Sequence, residues 1–91
     1  HALSSYLLYA RLQRQQGLYE EAGKTYHTLF KKQPNLVFLD EWATLPSPKA
    51  RQQLLLFLTH LLSIPAQTIQ ERKNQTYFLI RKNRLLRKKH P

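Results

Sequence analysis

The chain of 91 residues is long enough for one domain with a modest hydrophobic core, and its 42% apolar content argues against a disordered chain. It has no cysteine, which excludes disulfides and thiolate metal sites, so we expect an intracellular protein of the cytoplasm or nucleus. Its longest apolar run is far below the ~20 residues of a transmembrane segment. The net charge of +10 is concentrated in residues 46–91, where ten basic residues face the single acid Glu71, and this asymmetry favours an acidic partner.

The first third of the chain predicts a hairpin of two helices. Residues 3–16 carry apolar side chains near helical spacing, with Arg11, Gln13 and Arg14 towards the other side. Gly17 tolerates the left-handed backbone that often ends a helix, so the first helix is predicted to end there. The apolar positions are Leu3, Tyr6, Leu7, Ala10 and Leu12.

The second helix of this hairpin is predicted over residues 19–32. Its first turn is acidic and its last turn is basic, which is the arrangement that the helix dipole favours. Pro34 lies just beyond, where a proline stops a helix. The apolar stripe of this helix is predicted to contain Tyr19, Ala22, Tyr26, Leu29 and Phe30.

Two further helices are predicted in the middle of the chain. Residues 36–45 form a short apolar segment that ends at Pro46. In the next helix, which runs to about residue 62, Ser47 is predicted to be the N-cap and Pro48 the first helical residue. Residues 54–58 are all apolar and would lie on every side of that helix, so we expect a homodimer or an obligate partner.

The last quarter, residues 66–91, is basic and open to two interpretations. A short helix followed by a long basic helix would place Phe78, Leu79, Leu85 and Leu86 on one side. The alternative is a β-hairpin that turns at residues 73–75 and returns over residues 76–80. The turn lacks glycine, and Leu, Arg and Lys form helices better than strands, so we favour the helix. The whole chain, residues 1–91, is therefore predicted to be a single all-α domain, a small bundle of four or five helices.

Small, aromatic and proline residues follow a recognisable order over residues 5–36, namely Tyr6, Tyr9, Ala10, Ala22, Tyr26 and Pro34. In this order they resemble the tryptophan, leucine, glycine, alanine, aromatic and closing proline positions of a tetratricopeptide (TPR) repeat, a helix–turn–helix unit of about 34 residues. Two positions depart from the pattern. Gln13 stands where an aromatic residue is usual, and Leu29 is larger than the usual alanine.

The resemblance implies a non-catalytic, TPR-like protein-binding module, in which small residues let the two helices cross closely. One such repeat cannot bury its own apolar face. Residues 36–62 are therefore expected to pack on it as a second, divergent hairpin, or a neighbouring repeat to lie outside this sequence. The partner that the resemblance implies is another protein, either acidic or helical.

The sequence nominates no catalytic residue, metal ligand or cofactor site, so we expect a protein that is not an enzyme. Asp40 and Glu41 are adjacent, so on a helix they point ~100° apart and cannot act as a joint acid/base pair. The four histidines lack metal-ligand spacing, and His60 is expected to be a hydrogen-bonded residue of the core or its edge. Two glycines could hardly build a phosphate-binding loop.

The basic segment carries the predicted binding site. Its cations can neutralise phosphates and Tyr77 could stack on an unpaired base, so nucleic acid is the alternative partner. The same segment would also suit nuclear import, docking to a protein or an anionic membrane surface, or a helix that merely displays its charges to solvent. The predicted site comprises Arg72, Lys73, Tyr77, Arg81, Lys82, Arg84, Arg87, Lys88 and Lys89.

Overall fold

The computed structural model describes residues 2–87 and contains five α-helices and no strand within that range. The all-α prediction is confirmed. Residues 69–87 form one continuous helix, so the β-hairpin interpretation is wrong, and the expected break between a short and a long helix is absent from the described residues. The helices are α1 (Ala2–Gln15), α2 (Tyr19–Lys32), α3 (Leu36–Ala43), α4 (Pro48–Leu62) and α5 (Ile69–Arg87).

The chain divides into two compact units, one ending at Leu54 and the other beginning at Leu55. The division falls within α4, so the first turns of this helix belong to the first unit and its last turns to the second. The single domain predicted from the sequence would unfold in one cooperative transition.

The turn between α1 and α2 is closed by backbone hydrogen bonds. Gly17 has a φ of 80°, which costs glycine nothing and would strain other residues. The Gly17 N–H donates to the Arg14 carbonyl at 3.0 Å, and the Leu18 N–H donates to the Gln13 carbonyl at 2.9 Å. This pair of bonds is a Schellman motif, and it confirms the prediction that Gly17 ends the first helix.

Side-chain caps begin α3 and α4. The Asn35 side chain accepts a hydrogen bond from the Val37 N–H at 2.9 Å, and the Ser47 hydroxyl accepts one from the Ala50 N–H at 3.2 Å. Pro48 is the first residue of α4, where its missing N–H costs no hydrogen bond. The predicted start of α4 is therefore confirmed.

In the first unit, α2 packs against both α1 and α3. The predicted stripe of α2 is confirmed at four of its five positions, since Ala22, Tyr26, Leu29 and Phe30 are buried and only Tyr19 is half-buried. Ala10 is also fully buried, on the neighbouring helix. That Ala10 and Ala22 meet where the two helices cross stays a prediction of the resemblance.

The buried face of α1 differs from the predicted one. Leu12 is 53% exposed, whereas Gln13, which the sequence pattern placed towards the outside, is only 7% exposed. The Thr25 hydroxyl of α2 donates a hydrogen bond of 2.7 Å to the side-chain oxygen of Gln13. The position where a tetratricopeptide repeat usually has an aromatic residue therefore holds a buried polar contact between the two helices.

This contact gives a stability prediction. Thr25→Val is expected to lower the free energy of unfolding by ~1–3 kcal/mol, because the buried amide oxygen of Gln13 loses its donor. Adding Gln13→Leu should recover part of that loss, since both partners are then apolar. Urea titrations of the parent, the two single variants and the double variant form the required cycle. Losses that simply add in the double variant would contradict the coupling.

In the second unit, Leu58 of α4 and two residues of α5, Phe78 and Leu85, are buried. Leu79 and Leu86 are exposed, so the four residues predicted to share one side of α5, namely Phe78, Leu79, Leu85 and Leu86, are not all buried. The reason is geometric, because neighbouring residues of a helix point ~100° apart. On α4, Leu56 is 59% exposed, and the expected homodimer stays a prediction.

Candidate binding surface on helix α5

Helix α5 begins with a capping box that the sequence reading missed. The Glu71 N–H donates to the Thr68 hydroxyl at 3.0 Å, and the Glu71 carboxylate accepts from the Thr68 N–H at 3.0 Å. The same carboxylate oxygen accepts from the Gln67 N–H at 2.7 Å. The spacing Thr-x-x-Glu is the local signal for this motif. Glu71 is the only acid of α5, and it is committed to the helix start, so the rest of the helix is positively charged.

The inner side of α5 is fixed within the second unit. Phe78 and Leu85, seven residues apart, are buried. The side-chain amide of Gln75 donates a hydrogen bond to the carbonyl of Ile64, in the segment that precedes the helix. Phe78 also lines a shallow crevice of about 150 Å³ with Leu61 and Ile64. These contacts determine which side of α5 faces outward.

Four of the predicted cations lie on the outer side of α5. Arg72, Lys73, Arg84 and Arg87 are exposed, and at ~100° per residue they fall within about one third of the helix circumference. From Arg72 to Arg87 the helix rises ~22 Å. None of the four pairs with an acidic side chain in the part of the chain that the structure describes. Their charges are therefore available to an acidic partner.

Three other predicted site residues are placed differently. Tyr77, Arg81 and Lys82 are half-buried. Arg81 donates a hydrogen bond of 3.1 Å to the Tyr77 hydroxyl, and its guanidinium carbon lies 5.7 Å from the centre of the Tyr77 ring. Tyr77 and Arg81 are thus engaged with each other, and Tyr77 is less available to stack on a base than the sequence suggested. Lys88 and Lys89 lie outside the described residues.

Exposed aliphatic side chains lie among the cations, and the sequence reading did not find this. Between 40% and 77% of each of these side chains is exposed to solvent, and the four are Ile69, Leu79, Ile80 and Leu86. These four residues could have been recognised in the sequence, because they lie near basic residues and do not share the seven-residue spacing of Phe78 and Leu85. We call these four aliphatic residues, together with Arg72, Lys73, Arg84 and Arg87, the α5 outer surface.

Two further titratable side chains, His60 and Glu41, lie outside α5. Among residues 2–87 no group of three His, Asp or Glu side chains is arranged to hold a metal ion. His60 was expected in the core or at its edge, and it is exposed on α4, which contradicts the core placement. Glu41 accepts hydrogen bonds from Arg11 and Tyr26, and this binds it into the framework of the first unit.

None of the five described helices has both the length and the apolar character needed to cross a membrane. The α5 outer surface combines four exposed cations with four exposed aliphatic side chains. Comparison of the chain with protein-family models, with curated proteins and with solved structures finds no match.

Proposed function

We propose that this protein is a non-catalytic binding module whose α5 outer surface docks onto an acidic, amphipathic segment of another protein. The observation that carries the proposal is the exposure of Ile69, Leu79, Ile80 and Leu86 beside four unpaired cations. A partner helix with acidic residues and leucines on one face would complement both components of this surface.

The aliphatic component favours a protein over nucleic acid. Phosphates interact with cations and give an isoleucine or leucine no apolar surface to bury. A protein partner instead removes apolar area from water, which is worth roughly 25 cal/mol per Å². Apolar anchors within a polar rim are also the usual source of affinity in protein interfaces. Nucleic acid would leave Ile80 and Leu79 without an energetic role.

The first unit supports the same class of function. Two helices of similar length pack against each other, and Ala10 and Ala22, the small positions of the proposed tetratricopeptide-like repeat, are fully buried. Repeats of this kind serve as scaffolds that present surfaces to other proteins. We place the protein inside the cell, in the cytoplasm or nucleus, on the grounds of its cysteine-free and basic composition.

The test uses a synthetic peptide with glutamates and leucines at helical spacing as the probe. Ile80→Ser is expected to weaken binding about fivefold or more, with little change in salt dependence, since it removes ~1 kcal/mol of apolar contact. Arg84→Gln should mainly reduce the salt dependence. Leu56→Ser is the matched control, because Leu56 is 59% exposed, against 48% for Ile80, but lies on α4. Fluorescence anisotropy of the labelled peptide measures all four proteins.

The nucleic-acid alternative has a distinct signature in the same assay. A labelled single strand would then bind with a log–log salt slope of about −0.7 per phosphate contact, and Arg84→Gln would flatten it by about one contact. Ile80→Ser would leave such binding unchanged. That combination would overturn the proposed function.

A further inference from the structure

The four cations of the α5 outer surface form two pairs. Arg72 and Lys73 lie near the start of the helix, and Arg84 and Arg87 lie in its last turn. Lys73 and Arg84 are eleven residues apart, which is ~16 Å along the helix axis. Eleven residues are close to three full turns, so these two side chains are almost in line. The surface therefore has a positive group at each end.

Between the two pairs, the outer side of α5 lacks charge. Residues 74–83 contain two basic residues and no acidic one, and both basic residues, Arg81 and Lys82, are half-buried. At ~100° per residue, both fall outside the third of the circumference that holds the four outer cations. The exposed residues of this stretch are Thr76, Leu79, Ile80 and Asn83. The centre of the surface is therefore uncharged.

This uncharged centre is partly apolar. Leu79 is 49% exposed and Ile80 is 48% exposed. A leucine laid over them removes apolar area from water, whereas a carboxylate in the same place loses water over side chains that give it no hydrogen bond. At the two ends the preference is reversed, because Lys73 and Arg84 are exposed and have no acidic partner among the described residues. The order acid, apolar, acid along a partner thus matches the order of groups along α5.

The spacing of the two ends favours a helical partner. In a second helix that lies alongside α5, residues eleven apart cover the same ~16 Å and return to nearly the same face. In an extended strand, ~16 Å corresponds to about five residues, and positions five apart point to opposite faces. A helix therefore presents both acidic groups to α5 at once, whereas a strand presents one.

We propose that the partner of the α5 outer surface is a helix with two acidic groups eleven residues apart on one face and leucine-like residues between them. Its carboxylates pair with the cations at the two ends of the surface, and its apolar residues cover Leu79 and Ile80. This inference rests on the proposed docking function and adds the order and the spacing of the partner's groups.

Two labelled helical peptides of identical composition test this order. The end-charged peptide has glutamates eleven residues apart with leucines between them, and the centre-charged peptide exchanges these positions. The outer leucines of the centre-charged peptide cannot reach Ile69 and Leu86 together, since those residues are seventeen apart. We expect the end-charged peptide to bind at least about threefold more tightly. Fluorescence anisotropy measures both peptides on the full chain, and circular dichroism checks that they are equally helical.

A third peptide, with glutamine in place of the glutamates at one end, shows whether both ends are used at once. Lys73→Gln and Arg84→Gln should each weaken binding of the end-charged peptide by about twofold to fivefold. With the one-ended peptide, one of these two substitutions should lose its effect, because that cation has no carboxylate to pair with. Lys32→Gln is the control, since Lys32 is an exposed cation of α2, and it should affect all three peptides equally.

The outcomes separate this inference from the docking function on which it rests. Equal affinity for the end-charged and centre-charged peptides, while Ile80→Ser still weakens binding, would overturn the inference alone. Full effects of both Lys73→Gln and Arg84→Gln on the one-ended peptide would do the same. If neither peptide binds, or if Ile80→Ser leaves both affinities unchanged, the docking function is contradicted and the inference with it.

Discussion

Trp42→Ala is expected to lower the free energy of unfolding by ~3–5 kcal/mol, the usual loss when a buried tryptophan is truncated. Trp42 is only 1% exposed and is the largest of the fully buried side chains. Its removal leaves a cavity beside Gly23 and Ala50, and both of these neighbours are too small to fill the space. The loss is a large part of the 5–15 kcal/mol that stabilises a typical domain, so much of the variant should be unfolded at moderate temperature.

Urea denaturation followed by circular dichroism measures this loss without depending on tryptophan fluorescence. Trp42→Phe is the matched variant, because it keeps an aromatic ring but removes the N–H that donates to the Ala50 carbonyl. We expect it to cost less, ~1–3 kcal/mol. A loss below ~1 kcal/mol for Trp42→Ala would show that Trp42 is not at the centre of the first unit.

Glu41→Ala is the second substitution with a large expected effect. The Glu41 carboxylate accepts two hydrogen bonds from Arg11, at 2.6 and 3.1 Å, and one from the Tyr26 hydroxyl at 2.9 Å. It therefore links α1, α2 and α3. We expect a loss of ~2–3 kcal/mol, chiefly because the hydroxyl of the fully buried Tyr26 is left without its acceptor. The Arg11 share is small, since the Arg11 side chain is 49% exposed.

The pH dependence of stability identifies this carboxylate. The Arg11 hydrogen bond lowers the pKa of Glu41, burial opposes this, and the Tyr26 hydrogen bond adds to the lowering. The folded pKa is thus below the unfolded value of about 4.3. The contribution of Glu41 to the free energy of unfolding is complete above the unfolded pKa. It is lost as the pH falls through the folded pKa. As the pH is lowered from about 6 to 3, the urea concentration at the unfolding midpoint should fall more steeply for the parent than for Glu41→Gln. Equal slopes for the two proteins would contradict this assignment.

Local features of the fold could be predicted from the sequence. The end of α1 at Gly17 and the start of α4 at Ser47 and Pro48 depend on backbone preferences of one or two residues. The helical state of residues 69–87 follows from the composition of the segment itself. These properties need no partner from elsewhere in the chain, which is why they can be read in sequence order.

Features that depend on distant partners could not be predicted. Gln13 is buried because Thr25 of the next helix donates to it, whereas the periodicity of α1 alone placed Leu12 inside. Glu41 meets Arg11 across 30 residues of sequence, and nothing local marks the pair. The close packing of Trp42 depends likewise on Gly23, which lies on a different helix and has no Cβ to meet the indole.

The exposed side of α5 could be predicted in part from the sequence. The cations Arg72, Lys73, Arg84 and Arg87 were identified from charge alone, and the structure places them on one exposed side. The aliphatic component was missed because a sequence pattern assigns leucines to the core by default. Only the positions of the buried Phe78 and Leu85 show that Leu79 and Ile80 must face outward.

A competition experiment tests the docking of α5 onto an acidic protein segment most directly. The full chain is first saturated with the labelled glutamate–leucine peptide at near-physiological ionic strength, and a single-stranded oligonucleotide of the same total charge is then added. The proposed function predicts that the peptide stays bound, because the oligonucleotide cannot replace the apolar contacts of Ile80 and Leu79. Displacement of the peptide by an equimolar amount of oligonucleotide would contradict it.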